Sequence, residues 1–273
     1  MITTLLQDIR FSLRILRRNA GFSVVAILSL GLGIGAATGI FSLVSAVLLS
    51  ELPYQQPDSL VTVWQRPPGG GTNVVSGPAF LRWRESNDVF EEMAAVGYQS
   101  YNLAGEGEPE NVTGGAVSAG FFEMLGVRPV LGRTITSGED RPGAPHVAVI
   151  GYPLWQRRWG GDPGVIGKSI NLNGDSYTVV GVMPRGFQFM VNQVELWVPL
   201  ALDPVKANPR FHYLLVSARM KQGVTTERAQ AAMDSLAARI GEELPETDWG
   251  AAIVPLRKAI VGSSNTTLLV LLG

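Results

Sequence analysis

Between Arg18 and Glu51 the chain carries no charged side chain, and from Phe22 to Leu49 it is an apolar run of 28 residues interrupted only by glycine, serine and threonine. A helix of about 20 such residues crosses a bilayer core, so the run predicts a transmembrane helix over residues 21–50. It is too long for the apolar core of a signal peptide, and no small-x-small cleavage site follows it before Glu51. A retained anchor is the reading. Arg10, Arg14, Arg17 and Arg18 precede the run, whereas Glu51 and Asp58 follow it and the first base afterwards is Arg66. By the positive-inside rule the N-terminus lies in the cytoplasm and the chain beyond Leu49 lies outside it.

Within the run, Gly31, Gly35 and Gly39 recur every four residues, with Ala36 and Ala37 beside them. That register stacks the glycines on one helical face, where a second helix can approach closely. The plainer alternative is that glycine is common in membrane helices. The same stretch lacks the G-x-G-x-x-G spacing of a dinucleotide loop, and no separate strand precedes it. Ahead of the run, Leu5, Ile9, Leu13 and Leu16 repeat at helical spacing opposite Arg10, Arg14 and Arg17. Residues 1–20 are therefore expected to form an amphipathic helix on the membrane surface, its bases toward lipid headgroups. A partner-binding role fits the same pattern.

The rest of the chain reads as a water-soluble body. Charged residues are only 16% of the whole and hydrophobic ones 46%, a balance explained by one apolar segment attached to an ordinary domain. A net charge of −1 supplies no basic field, so no nucleic-acid partner is expected. The chain contains no cysteine, which excludes thiol catalysis, thiolate metal sites and disulfides.

Short β-rich runs, helical stretches and Gly/Pro turns give an α+β pattern. Strands are expected at 60–64, 112–117, 147–150, 169–172, 177–183, 214–220 and 251–256. A helical stretch opens at Gly77-Pro78 and continues through Phe80, Trp83, Phe90 and Met93, broken near Asn87-Asp88. Further helices are expected at 119–125, 153–159 and 225–240, the last with Thr225 as N-cap and Ala229, Ala232, Met233, Leu236 and Ile240 on one face. The early strand and helix and the late strand-helix-strand are expected to form one split subdomain around an insertion.

No catalytic constellation emerges. His146 and His212 stand far apart in no metal-ligand spacing and are read as structural, so no metal site is expected. There is no Gly-x-Ser-x-Gly elbow. Glu91-Glu92 and Glu106, Glu108 and Glu110 are read as a solvated helix face and an acidic loop rather than a glycosidase pair. Gly69-Gly70-Gly71 lacks the ending of a phosphate loop, and no cofactor site is expected in this chain. Tryptophans beside arginines, as in Trp155-Gln-Arg-Arg-Trp159, are read as core packing with arginine at the rim.

The order of these features resembles the start of MacB-like and FtsX-like ABC transporter permeases. The resemblance rests on the basic helix, on the span beginning Gly21-Phe-Ser-Val-Val-Ala, on Leu52-Pro53-Tyr54, and on motifs in the body. Those motifs are Phe121-Phe122-Glu-Met-Leu-Gly126, Pro129-Val-Leu-Gly-Arg133, Val147-Ala-Val-Ile150, Gly167-Lys-Ser-Ile-Asn-Leu-Asn-Gly174 and Tyr177-Thr-Val-Val-Gly-Val-Met-Pro184. The resemblance implies a permease with a large periplasmic domain between its first two membrane helices, built as a porter-like part (51–97 plus 203–262) and an inserted β-rich part (98–202) within residues 51–265. Residues 266–273 would begin a second, truncated membrane helix.

What the resemblance implies for function is a non-enzymatic permease of an efflux or lipoprotein-release system in the bacterial inner membrane. Its partners would be a cytoplasmic ABC ATPase subunit carrying the ATP, a second permease copy forming a dimer, membrane lipid and a periplasmic adaptor. The chain departs from that pattern in lacking a nucleotide-binding domain and the later helices. The alternative is a membrane-anchored binding or scaffold domain unconnected with ATP.

Overall fold

The computed structural model describes Phe11 and residues 14–49, 52–105, 107–191, 193–243, 249–260 and 262. It divides into two compact units, Met1–Glu51 with Ser263–Gly273, and Leu52–Gly262. In the first unit, helix α1 (Ala20–Leu49) contains neither proline nor charge, and its window Ala20–Gly39 has a mean hydropathy of 2.0. Phe22, Val25, Leu28, Leu32 and Ile34 are all more than half exposed, so no protein core covers this stretch. It is long and apolar enough to cross a membrane. Residues 14–18 are also helical and run into α1 through Asn19 N–H to Ile15 O and Ser23 N–H to Asn19 O.

In the second unit one strand organises the rest. Strand β3 (Phe90–Ala104) pairs through residues 90–96 with β10 (His212–Met220) and through residues 96–103 with β4 (Glu110–Val117). Its first half belongs to an antiparallel sheet ordered β11-β1-β10-β3, with β1 at Leu60–Arg66 and β11 at Gly250–Pro255. Helix α2 (Gly77–Ser86) joins β1 to β3, after the two-residue strand β2 (Val75–Ser76) that flanks β10. Helix α5 (Thr226–Glu243) joins β10 to β11. This is a split βαβ, ferredoxin-like arrangement. Both helices lie on one face, where Val61, Val63, Phe80, Trp83, Met93, Leu214, Val216, Met233 and Leu236 form a core. Each large side chain buried there contributes roughly 1.5–3 kcal/mol.

The second half of β3 enters a different structure. Four further strands complete it: β6 (Val147–Ile150), β7 (Ser169–Leu172), β8 (Asp175–Val182) and β9 (Leu196–Pro199). The pairings β3-β4, β4-β9, β9-β6, β6-β8, β8-β7 and β7-β3 return to their start. They close a six-stranded barrel, which leaves no free edge. Its core holds Tyr101, Leu103, Val112, Ile150, Leu172, Val179 and Leu196, packed with Leu154 and Trp155 of α4 (Tyr152–Trp159). The sequence-based border between residues 97 and 98 falls inside β3, so no linker separates the two halves there.

The expected helical stretch through Phe90 and Met93 requires correction. Helix α2 ends at Ser86, because Asn87 turns to extended backbone (φ −79°, ψ 152°) and its Nδ2 donates to Trp83 O and Arg84 O. Phe90 and Met93 lie on β3 instead. Their helix-like spacing survives because the register with β10 skips Glu91, pairing Arg219 with Glu92 and Met220 with Phe90. That bulge returns residues three apart to one face. Glu91 and Glu92 are accordingly on a strand and not on a helix face.

The outer edge of β11 is closed from within. Gln230 of α5 donates from Nε2 to Ala251 O (2.9 Å), and its Oε1 accepts from Ile253 N–H (2.8 Å). The amide thus makes the bonds a further strand would make, and Pro255 offers no N–H beyond them.

Two motif glycines are explained by one backbone crossing. Short strand β5 (Leu131–Gly132) pairs with β8 so that Gly132 faces Gly181. A Cβ on Gly181 would lie 2.1 Å from Arg133 O, and one on Gly132 would lie 2.1 Å from Val180 O. Gly181→Ala is therefore expected to destabilise the body by more than about 3 kcal/mol, beyond ordinary overpacking, since a rigid carbonyl cannot rotate away. Urea denaturation followed by circular dichroism measures it; a loss under about 1 kcal/mol would contradict the crossing.

Candidate interaction surfaces

The glycines singled out in the sequence lie along one face of α1. A Cβ added at Gly31, Gly35 or Gly39 meets no atom within 4 Å, so no described residue covers that face. Arg14, Arg17 and Arg18 are exposed on the helical residues 14–18. Arg10 lies outside the described residues, as do Leu5, Ile9, Leu13 and residues 266–273.

Among the described residues no group of histidines and carboxylates is placed to hold a metal ion. His146 stacks on Tyr177 with ring centroids 4.7 Å apart, and His212 on Trp249 at 4.4 Å. Glu106 lies outside the described residues, while Glu110 is bound by Arg157 (2.9 Å) and Arg158 (3.0 Å) from α4. Burial pushes the Glu110 pKa up, but those guanidinium hydrogen bonds outweigh it and the carboxyl sits below its ordinary value. Arg157 also clasps Glu195, at 2.6 and 3.1 Å. The Trp155–Trp159 motif thus serves the barrel: Trp155 is buried with Nε1–H donating to Asp162 O, and the arginines tie α4 to β4 and to the residue before β9.

Sequence reasoning missed a polar joint on the sheet face opposite α2 and α5. There a second core gathers Tyr54, Leu60, Val96, Phe121, Phe122, Phe189, Trp197 and Leu256. The segment entering the body from α1, residues 52–59, packs on this core, and so do the helical residues 256–260 near the other end. Both segments therefore rest on one face.

Arg219 of β10 holds the entering segment. It is 7% exposed, and its Nε donates to Met124 O (3.0 Å) at the end of α3 (Phe121–Leu125). Nη2 donates to Gln55 O (2.7 Å) and to Met124 O, and Nη1 to Ser59 Oγ (2.6 Å) and Gln56 O (3.4 Å). The five bonds reach three carbonyls and one hydroxyl. Burial pulls the Arg219 pKa down, opposed by the charge of Glu91, but a guanidinium stays protonated in proteins. Gln56 adopts a left-handed backbone (φ 44°) as its carbonyl meets the cation.

Further bonds fix the same segment. Gln55 N–H donates to Leu125 O (3.1 Å), and Gly126, left-handed at φ +69°, leaves room for Gln55, which a Cβ would strike at 2.5 Å. Tyr54 donates its hydroxyl to Gln188 O (2.7 Å), and burial pushes its pKa up to about 12, so it remains a neutral donor. A second joint is Asp140, whose side chain is 7% exposed and accepts from Ala119 N–H (2.9 Å) and Ala201 N–H (2.7 Å). Those two residues follow β4 and β9. Burial raises the Asp140 pKa and the two backbone N–H bonds lower it, with a net rise. The signal in the sequence was an arginine between Ala218 and Met220 in the mostly apolar run from Leu214 to Met220.

Among the described residues, these bonds attach the entering segment and the ends of β4 and β9 to the body. A family model described as the MacB-like periplasmic core domain matches residues 23–236. No curated protein matches the sequence. Among solved structures, the periplasmic region of MacB from Actinobacillus actinomycetemcomitans superposes with a TM-score of 0.56 at 13% identity, covering 76% of this chain and 93% of that one. A domain of a putative permease protein from Porphyromonas gingivalis gives 0.56 at 18%, over 75% and 92%. The extracellular domain of the noncanonic ABC-type transporter YknZ from Gram-positive bacteria gives 0.52 at 14%, over 71% and 99%. At such identities the likeness speaks for the fold, whereas the family match spans most of the sequence. The chain belongs to the family of MacB-like periplasmic core domains, found in permeases of ABC-type transporters.

Proposed function

We propose that this chain is part of the permease subunit of an ABC-type efflux or lipoprotein-release system, which couples ATP hydrolysis by a separate cytoplasmic subunit to movement of the external body. The observation that carries the reading is that the match to this family, over residues 23–236, takes in a charge-free helix long enough to span a bilayer together with most of the body. Its localisation is then the bacterial inner membrane with residues 1–20 in the cytoplasm. Residues 51–97 plus 203–262 form the porter-like part and residues 98–202 the inserted β-rich part, a division supported by the separate cores under the split βαβ sheet and inside the barrel. The ATP belongs to the partner subunit. A second permease copy, lipid and a periplasmic adaptor complete the assembly.

Arg14, Arg17 and Arg18 lie at the cytoplasmic headgroups in this reading, joined by Arg10, and the face of Gly31, Gly35 and Gly39 packs on another membrane helix. Two measurements test it. Because the chain has no native cysteine, single cysteines at Ser12 and Asp58 report orientation cleanly. A membrane-impermeant maleimide added outside the inner membrane is expected to label D58C and leave S12C unlabelled; the reverse pattern contradicts the topology. Gly35→Leu is expected to weaken helix association in bilayers about tenfold, measured by energy transfer between labelled copies, since a bulky side chain separates the backbones. Unchanged association contradicts the packing face.

A further inference from the structure

The Arg219 joint has a geometry that simple anchoring does not require. A buried cation needs its donors satisfied, and water or any local carbonyls suffice for that. Here the acceptors come from two segments distant in sequence: Gln55, Gln56 and Ser59 on the connector leaving α1, and Met124 at the end of α3. The cation itself is carried by a third element, the central strand β10. Since Nη2 is shared between Gln55 O and Met124 O, the connector cannot shift against α3 without breaking a charge-assisted bond. Gln55 N–H on Leu125 O and its side chain against Gly126 close the same contact from the other side. Helix α3 follows β4 directly, through residues 118–120, and Ala119 is held there by Asp140. A path of short bonds therefore runs from the connector through Arg219 to the base of the barrel.

We infer that Arg219 is a coupling residue, making the connector Leu52–Ser59 and helix α3 move as one body so that a displacement arriving from α1 is delivered to the barrel. The role rests on the transport reading, but the joint can be tested without it. The experiment is native-state hydrogen exchange on the full chain in lipid nanodiscs, with neither nucleotide nor any partner protein present. Failure of the transport reading thus leaves its outcome unaffected.

Four amides report the two segments: Gln55 and Ser59 on the connector, and Met124 and Gly126 on α3, each hydrogen-bonded through its N–H. In the wild type they are expected to open together, with one exchange rate constant after correction for intrinsic chemistry and one denaturant dependence. In Arg219→Met the connector amides are expected to exchange at least about tenfold faster than those of α3, while β1 and β10 stay protected. A side chain needed only for stability would accelerate both segments by the same factor, and that result overturns the proposal. Unequal exchange in the wild type overturns it too. Arg219→Lys keeps the charge but gathers its donors on one nitrogen, too compact to span both segments. It covers the case in which the methionine variant does not fold: separation of the two pairs of amides supports the coupling role, and their continued identity overturns it.

Discussion

Strand β3 has to satisfy two sheets at once, and most of the architecture follows from that. Its N-terminal half is an outer strand of the split βαβ sheet and its C-terminal half is a stave of the closed barrel. A strand cannot rotate at its middle without losing ladder bonds on both sides, so the two halves of the body are joined by a stiff element and not by a linker. The side-chain joints lie around it. Ser118 accepts from Ala95 N–H where β3 leaves β10, Asp140 ties the residues after β4 and β9, and Arg219 binds α3 to the connector. All are buried or nearly so, where an unmatched polar group is costly and the bonded arrangement correspondingly well determined.

The core beneath the connector is built to the same stiffness. The aromatic core of Phe121, Phe122, Phe187, Phe189 and Trp197 beneath the connector is closely packed, with tilted and edge-to-face rings 5.1–5.9 Å apart. The connector from α1 and residues 256–260 both rest on it. Close-packed interiors deform little and pass strain on.

The helix, the body and many elements were legible because their signals are local. Charge-free length announces α1, period-3.6 apolar spacing with Thr225 at its head announces α5, where Arg228 N–H reaches Thr225 Oγ1 at 3.3 Å, and alternation announces β10. What stayed illegible depends on pairing. The bulge at Glu91 let Phe90 and Met93 imitate a helix face, and β9 lacks alternation because Leu196, Trp197 and Val198 are all buried between two cores. Closure of the barrel is a property of register between strands distant in sequence, as in Leu103 opposite Leu172 and Gly114 opposite Leu196, which no single segment encodes. Arg219 was overlooked because its acceptors are mostly backbone carbonyls, which carry no residue signature.

A strand shared by both sheets holds the split βαβ half and the barrel as one body. The direct measurement is a pair of spin labels on otherwise cysteine-free protein, one at Asp175 on the barrel and one at Glu227 at the head of α5, on the full chain in nanodiscs. Both positions are exposed. The account predicts a single narrow interlabel distance distribution. A broad or two-peaked distribution would contradict it.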